Sequence, residues 1–239
     1  MLANSQTACP RTRLALVALG LLLSLVVLAV ACNGKSDDMD AQKLLLERMI
    51  LQPEDIAPDL ERVTAAFSTN QDLADATIDP EKELSKLEGY ERQLGYEVTY
   101  QPRTDAPSST TVRAVSDTTS LYREAEGASA SFEEAVETAR TTDWLASHSD
   151  LVDVEVQEIE LAGIGDEAMW TRVSGFQSED RSGLVLDDFV LLRRDTVRAF
   201  LRVVHLVDGS AGNDASIEDV RGWATQQVQL IDAALTGSR

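Results

Sequence analysis

Apolar residues recur along this chain with two different periods, and the changes between them mark its elements. Near Asp40 a helical spacing begins, with Leu44, Leu45, Met49 and Leu51 on one face, and Pro53 stops it. The stretch 52–60 carries Pro53 and Pro58, which remove backbone donors and restrict the residues before them, so it reads as a turn-rich connection. Residues 61–94 read as loosely helical, with Asp79-Pro80-Glu81 a helix start. From Gly95 the period becomes two: Tyr96, Val98 and Tyr100 alternate with polar neighbours and predict a strand. A Pro, Ser and Thr loop covers 101–110, and a β-branched strand follows over 111–122. The period then returns to helical, with Ala125, Ala128, Phe132, Ala135, Val136 and Ala139 on one stripe.

Four strands come next. Val152, Val154 and Val156 share a face, but Ile159 and Leu161 fall on the other, which predicts a bulge near Gln157 or Glu158. After the Gly163–Asp166 turn, residues 167–174 form a strand. Leu184–Arg193 and Val197–Val207 form two long strands joined by the hairpin Arg194-Asp195-Thr196, with Leu184, Leu186, Val190 and Leu192 on one face of the first. A polar loop over 208–215 leads to Ser216 and Asp219, a capping-box pair opening a last helix whose stripe is Val220, Ala224, Val228, Ile231 and Leu235. Strands grouped in sequence, with helices before, between and after them, predict an α+β fold in which helices cover a mainly antiparallel sheet. The organisation expected is a signal segment over 1–31, a tether over 32–38, a helical segment over 39–94 and the α+β domain over 95–239.

The first 31 residues are of another kind. Arg11 and Arg13 precede Leu14–Ala31, an uncharged run of membrane length that ends in Leu28-Ala29-Val30-Ala31-Cys32 and a polar stretch. This resembles a bacterial lipoprotein signal peptide, although the family more often places Leu where Ala29 stands. The resemblance implies cleavage before Cys32, acylation of Cys32 with diacylglycerol and palmitate-type chains, and attachment to the extracytoplasmic face of a bacterial membrane. The alternative reading of the run is an uncleaved transmembrane anchor. Cys9 and Cys32 are the chain's two cysteines, so the processed chain would hold no free thiol and no disulfide.

The exported part resembles a known kind of domain in three places. The segments VSDTTSLYREAEGASASF at 115–132, GIGDEAMWTRVSG at 163–175 and RRDTVRAFLRVV at 193–204 are similar to exported α+β domains of bacterial lipoproteins and sensor-kinase ectodomains. The element order is also similar to the PsbP-like fold. The likeness covers roughly 95–236, and its motifs are turns and faces that carry no catalytic residue across.

Charge and composition narrow the chemistry. A formal charge of −20 argues against nucleic acid as a partner, and losing 1–31 with its two arginines makes the balance −22. The chain has two His and lacks a phosphate loop, a G-x-S-x-G elbow and a calcium loop, so it offers no catalytic residues, no metal site and no cofactor. His148 reads as a solvated residue at a helix end. Asp187 and Asp188, as neighbours on a strand, point to opposite faces, and Asp188 shares the face of Leu186 and Val190. It reads either as a core-edge acid paired with an Arg or as a pocket acid. Trp170, Asp188, Arg202 and His205 are polar or amphipathic residues among apolar strand positions, and they mark the candidate ligand-binding region. The function expected is a lipid-anchored, non-catalytic extracytoplasmic domain that binds a small molecule or a protein partner; the alternative is a carboxylate-dependent hydrolase of the cell envelope.

Overall fold

The computed structural model describes residues 38–106, 111–179, 181, 183–207 and 212–237, with side chains in the last stretch from 216 onward. Segment 1–31, Cys32 and the tether up to residue 37 lie outside the described residues, as does the start of the 208–215 loop. The contacts divide the chain into Met1–Gln42 and Lys43–Arg239. The second unit opens on the end of a helix (α1, 38–47) and continues through a one-turn helix (α2, Pro53–Ile56) into strand β1 (Leu60–Ser68). Two short helices follow (α3, Asn70–Asp75; α4, Pro80–Gly89), then β2 (Arg92–Pro102) and β3 (Val112–Tyr122). Helices α5 (Ala125–Thr141) and α6 (Trp144–Ser147) lead to β4 (Val152–Ile159), β5 (Glu167–Phe176), β6 (Leu184–Arg194) and β7 (Val197–Val207). The last helix, α7, spans Gly212–Gly237. Among the described residues, no helix is long and apolar enough to cross a membrane.

All seven strands join one antiparallel sheet in the order β1-β2-β3-β7-β6-β5-β4. The chain leaves β3 through α5, starts again at the far edge with β4, and meanders back until β7 pairs with β3. The fold is therefore α+β with helices on an antiparallel sheet, as the order of periods predicts.

Several local readings differ. Helix α1 ends at Glu47 and leaves Leu44 exposed, with Leu46, Met49, Ile50 and Leu51 buried, and Pro53–Ile56 within the connection forms a helical turn. Residues 61–94 are not helical throughout, because Leu60–Ser68 forms edge strand β1, so the sheet begins well before residue 95. Most of β1 is exposed, and an edge strand half in solvent carries no clear alternation to read. The irregularity in β4 lies between Val152 and Glu155, where Asp153 adopts φ 54°, instead of near Gln157. Helix α7 begins at Gly212, and Ser216 lies inside it and buried, so it is not the helix cap.

Register fixes two unlike faces. One carries Val197, Ala199, Leu201, Val203 and His205 of β7 opposite Leu192, Val190, Asp188 and Leu186 of β6, and it is buried beneath α7 and the segment 46–51. The other carries Arg198, Phe200, Arg202 and Val204 opposite Arg193, Leu191, Phe189 and Asp187. Helix α5 lies on this second face at one end only. It is pinned there at Ser131, whose hydroxyl pairs with Tyr122 at 2.7 Å and accepts from Arg198 at 2.8 Å. Close approach is possible because Gly127 has no side chain: a Cβ there would meet the Tyr90 carbonyl oxygen at 2.0 Å.

The segment leading from α1 is locked to the first face by buried polar groups. The Leu51 N–H donates to Asp117 Oδ2 at 2.9 Å, the Tyr100 hydroxyl donates to the Leu51 carbonyl at 2.7 Å, and Gln227 Nε2 donates to the Met49 carbonyl at 2.6 Å. Asp117 Oδ1 and Gln227 Oε1, both acceptors, have no partner among the described residues. A proton on Asp117 supplies the missing donor, and burial pushes its carboxyl up to about 7. The folded state thus holds this proton to higher pH than the unfolded chain, and the stability it provides is lost as pH rises from the ordinary carboxylate value to about 7. Asp117→Asn keeps the acceptor for Leu51 and offers a permanent donor to Gln227. Chemical denaturation should show an advantage of D117N over the parent that is small at pH 4, grows to as much as about 4 kcal/mol at pH 7, and is constant above. Parallel profiles for the two proteins would mean that Asp117 is ionised throughout.

Candidate functional site

The two faces of the β5-β6-β7 meander separate the residues expected to form one region. Trp170, Asp188 and His205 meet on the buried face; Arg202 stands on the opposite one. On the buried face, Arg172 lies directly across from Asp188 in the strand register, so a guanidinium and a carboxylate are brought together by pairing alone. Asp188 Oδ1 accepts from Trp170 Nε1 at 2.6 Å and from Arg172 Nε at 2.7 Å, while Oδ2 accepts from Arg172 Nη2 at 2.8 Å. Burial pushes the Asp188 carboxyl up, against the pull of the Arg172 charge and the Trp170 N–H. Both residues are almost fully enclosed, at 2% and 0% exposure. The core-edge reading of Asp188 is the one realised: a planar fork filled by planar donors, closed to solvent, with no approach for a ligand.

His205 lies beside this pair without joining it. Its Nδ1 is 3.8 Å from Asp188 Oδ2, too far for a hydrogen bond, and neither ring nitrogen has a partner among the described residues. The ring stacks on Trp223 of α7, with centroids 5.8 Å apart and planes within 9°. It behaves as a flat packing element. Burial, helped by the Arg172 charge, lowers its pKa to about 4.

The exposed face holds a different assembly, which sequence spacing did not bring together. Asp187 Oδ1 accepts from Arg202 Nε at 3.0 Å, and Oδ2 accepts from Arg202 Nη2 at 2.7 Å and from His148 Nε2 at 3.2 Å. His148 reaches this position from the end of α6, a one-turn helix started by the Asp143 carboxylate, which accepts from Ala146 N at 3.0 Å. With Nε2 facing the Asp187 carboxylate, Nδ1 lies 3.0 Å from both the Ser147 hydroxyl and the Trp144 carbonyl oxygen. Trp144 donates its indole N–H to the Ala139 carbonyl at 2.9 Å, which turns its ring onto Phe189 at 4.5 Å. The Arg202 guanidinium covers the other part of Phe189, 5.3 Å from its centre. Around these residues lies a groove of about 780 Å³, floored by Val185, Val204 and Leu206 and rimmed by Arg113 and Asp150.

Of the residues singled out by sequence, Arg202 and His205 are both in the lining of the groove, His205 with its ring buried against Trp223, whereas Trp170 and Asp188 belong to the core. Asp187, Trp144, Phe189 and His148 were missed as site residues. The signal for the first was the strand alternation itself, which places Asp187 on the face opposite Asp188. For His148 nothing in the local pattern shows that α6 lies over β6. Among the described residues, no three His, Cys, Asp or Glu side chains converge as a metal site would require.

The two titrating groups of the buried layer work in opposite directions. A His whose folded pKa is depressed gives stability that is present above its unfolded value and lost as pH falls toward about 4. His205→Phe retains the stack on Trp223 and removes two unpartnered nitrogens. The thermal midpoint of H205F should match or exceed the parent's at pH 7, and its advantage over the parent should grow as pH falls from 6.5 toward 4. A large loss at pH 7 would show that a ring nitrogen of His205 holds a hydrogen bond essential to the fold.

No family model and no curated protein matches this chain. Among solved structures it is similar to the extracellular domain of PknH from Mycobacterium tuberculosis, with 7% sequence identity and a TM-score of 0.45, covering 77% of this chain and 94% of that chain.

Proposed function

We propose that this chain is a non-catalytic, lipid-anchored extracytoplasmic domain that binds a ligand in the groove over Asp187, Phe189 and Arg202. The observation that carries this reading is the uneven covering of the sheet. One face is sealed by α7 and the segment 46–51, while helices α5 and α6 leave part of the other open and set Trp144 and His148 at the margin. The groove combines aliphatic and aromatic walls with a few fixed polar groups, which is the composition of a binding pocket. Its carboxylate is already satisfied by Arg202 and His148, an arrangement suited to orienting a ligand. The anchor rests on the segment ending in Ala31-Cys32 and puts the domain outside the cytoplasmic membrane.

One observation favours the hydrolase alternative. Ser147 Oγ, His148 and Asp187 form a hydroxyl, imidazole and carboxylate chain with spacings of 3.0 and 3.2 Å. Against it, Ser147 Oγ also donates to the Trp144 carbonyl at 3.0 Å, and Asp187 is held by a bidentate arginine that lowers its power to support an imidazolium.

Two measurements test the proposal. Cys32→Ser should abolish incorporation of labelled palmitate and leave an unprocessed precursor; label retained in C32S, or a processed chain starting elsewhere, would remove the anchor. Hydrogen exchange of the full chain in lipid nanodiscs, with and without small molecules extracted from the envelope, should slow in peptides covering Trp144–Leu151 and Val185–Phe189. Arg202→Ala combined with Phe189→Ala should remove the slowing. Turnover of p-nitrophenyl acetate that is lost with Ser147→Ala would replace this reading by the enzyme.

A further inference from the structure

The groove is not the only opening on the exposed face. A second compartment of about 450 Å³ lies between α5 and the sheet, and the two share Thr142, Trp144 and Phe189 in their walls. Its lining is of another character. The helix contributes Ala135, Thr138 and Ala139, and the sheet contributes Met169, Leu191 and Phe200. Small residues on one side and long apolar ones on the other leave a gap because α5 is held at a fixed height. At its first half Ser131 binds Tyr122 and Arg198, and Lys86 of α4 reaches Glu134 at 2.9 Å. Just beyond its end, the Trp144 indole is tied to the Ala139 carbonyl. Collapse of the helix onto the sheet would break these bonds, so the apolar cleft is kept open by polar props at both ends.

The two compartments differ in charge as well as polarity. The groove gathers two guanidinium groups, Arg113 and Arg202, with His148, Asp187 and Asp150 beside them, whereas the cleft is apolar apart from Arg198, Lys86 and Glu134 in its lining. An apolar cleft thus adjoins, across the packed rings of Trp144 and Phe189, a groove with guanidinium groups.

We infer that the trough binds a single-chain amphiphile, its hydrocarbon chain lying in the cleft between α5 and the sheet and its anionic head meeting Arg113 and Arg202. The volumes suit this division: each compartment lies in the range of a small-ligand pocket, and neither is uniform enough to take a wholly polar or a wholly apolar molecule with its surface matched. The inference rests on the groove being the binding site, and it adds what the ligand is.

The test uses the full chain in phosphatidylcholine nanodiscs and lysophosphatidylglycerol bearing a diazirine at the end of its acyl chain. After irradiation and digestion, label is expected on peptides containing Ala139, Met169 or Phe200, and excess unlabelled lysophosphatidylglycerol should displace it. Ala139→Trp fills the cleft and should lower this labelling about tenfold; Ala135→Phe serves the same purpose should A139W not fold, as judged by circular dichroism. Arg202→Gln should weaken competition by the unlabelled lipid about tenfold, while a diazirine monoacylglycerol, lacking the anionic head, should label poorly in the parent. Label confined to other segments, equal labelling by the neutral probe, or indifference to both cleft-filling variants would overturn the inference. If the envelope extract still slows exchange over 144–151 while no acyl label enters the cleft, the groove stands as a binding site and the amphiphile does not. If neither occurs, both fall.

Discussion

Two consecutive aspartates on β6 organise this molecule, because neighbouring residues on a strand must face opposite ways. Asp188 turns under α7 and Asp187 turns into the groove. Each meets an arginine from an adjacent strand, the enclosed Arg172 on β5 for Asp188 and the half-exposed Arg202 on β7 for Asp187. The same bidentate geometry serves two purposes that differ only in surroundings. Beneath the helix it is closed off by Trp170 and has nothing left to offer a ligand. On the other face the arginine stays half in water and covers an aromatic ring, while the buried carboxylate also meets a histidine.

The rest of the architecture keeps these two environments apart. Residues 46–51 and α7 complete the apolar layer, and the Asp117, Gln227 and Tyr100 bonds attach that segment to the centre of the sheet. On the second face, α5 is propped by Ser131 and Glu134, so the sheet is covered without being sealed. Burial costs are concentrated on the first face, where Asp117 and His205 are each held in their neutral forms by the same apolar surroundings. Their pH dependences have opposite sign and partly cancel between about pH 4 and 7, and the single substitutions are needed to separate them.

Much of this was legible in the sequence. Period-two alternation in 184–207 gave both long strands, their hairpin and the buried face, since a strand with one apolar side admits only one register. The stripes of α5 and α7 were equally plain. Edge strand β1 was not, because its exposed residues lack the alternation that burial imposes. Of the candidate region, Trp170, Asp188 and His205 lie buried on one face and Arg202 on the other, for a related reason. Polar residues on an apolar strand face attract attention, yet Trp170, Asp188 and Arg172 satisfy one another and His205 stacks on a tryptophan. The groove is made from residues distant in sequence, among them His148 on a one-turn helix, and is visible only once α6 is placed over β6.

The division of labour between the two acids is tested most directly by the unfolding free energies of Asp188→Asn and Asp187→Asn at neutral pH. D188N leaves a guanidinium enclosed without its counter-charge and should lose about 3 to 5 kcal/mol. D187N releases an arginine that is half in solvent and should lose about 1 kcal/mol. Equal losses, or a greater loss for D187N, would contradict the assignment of one face to the core and the other to the site.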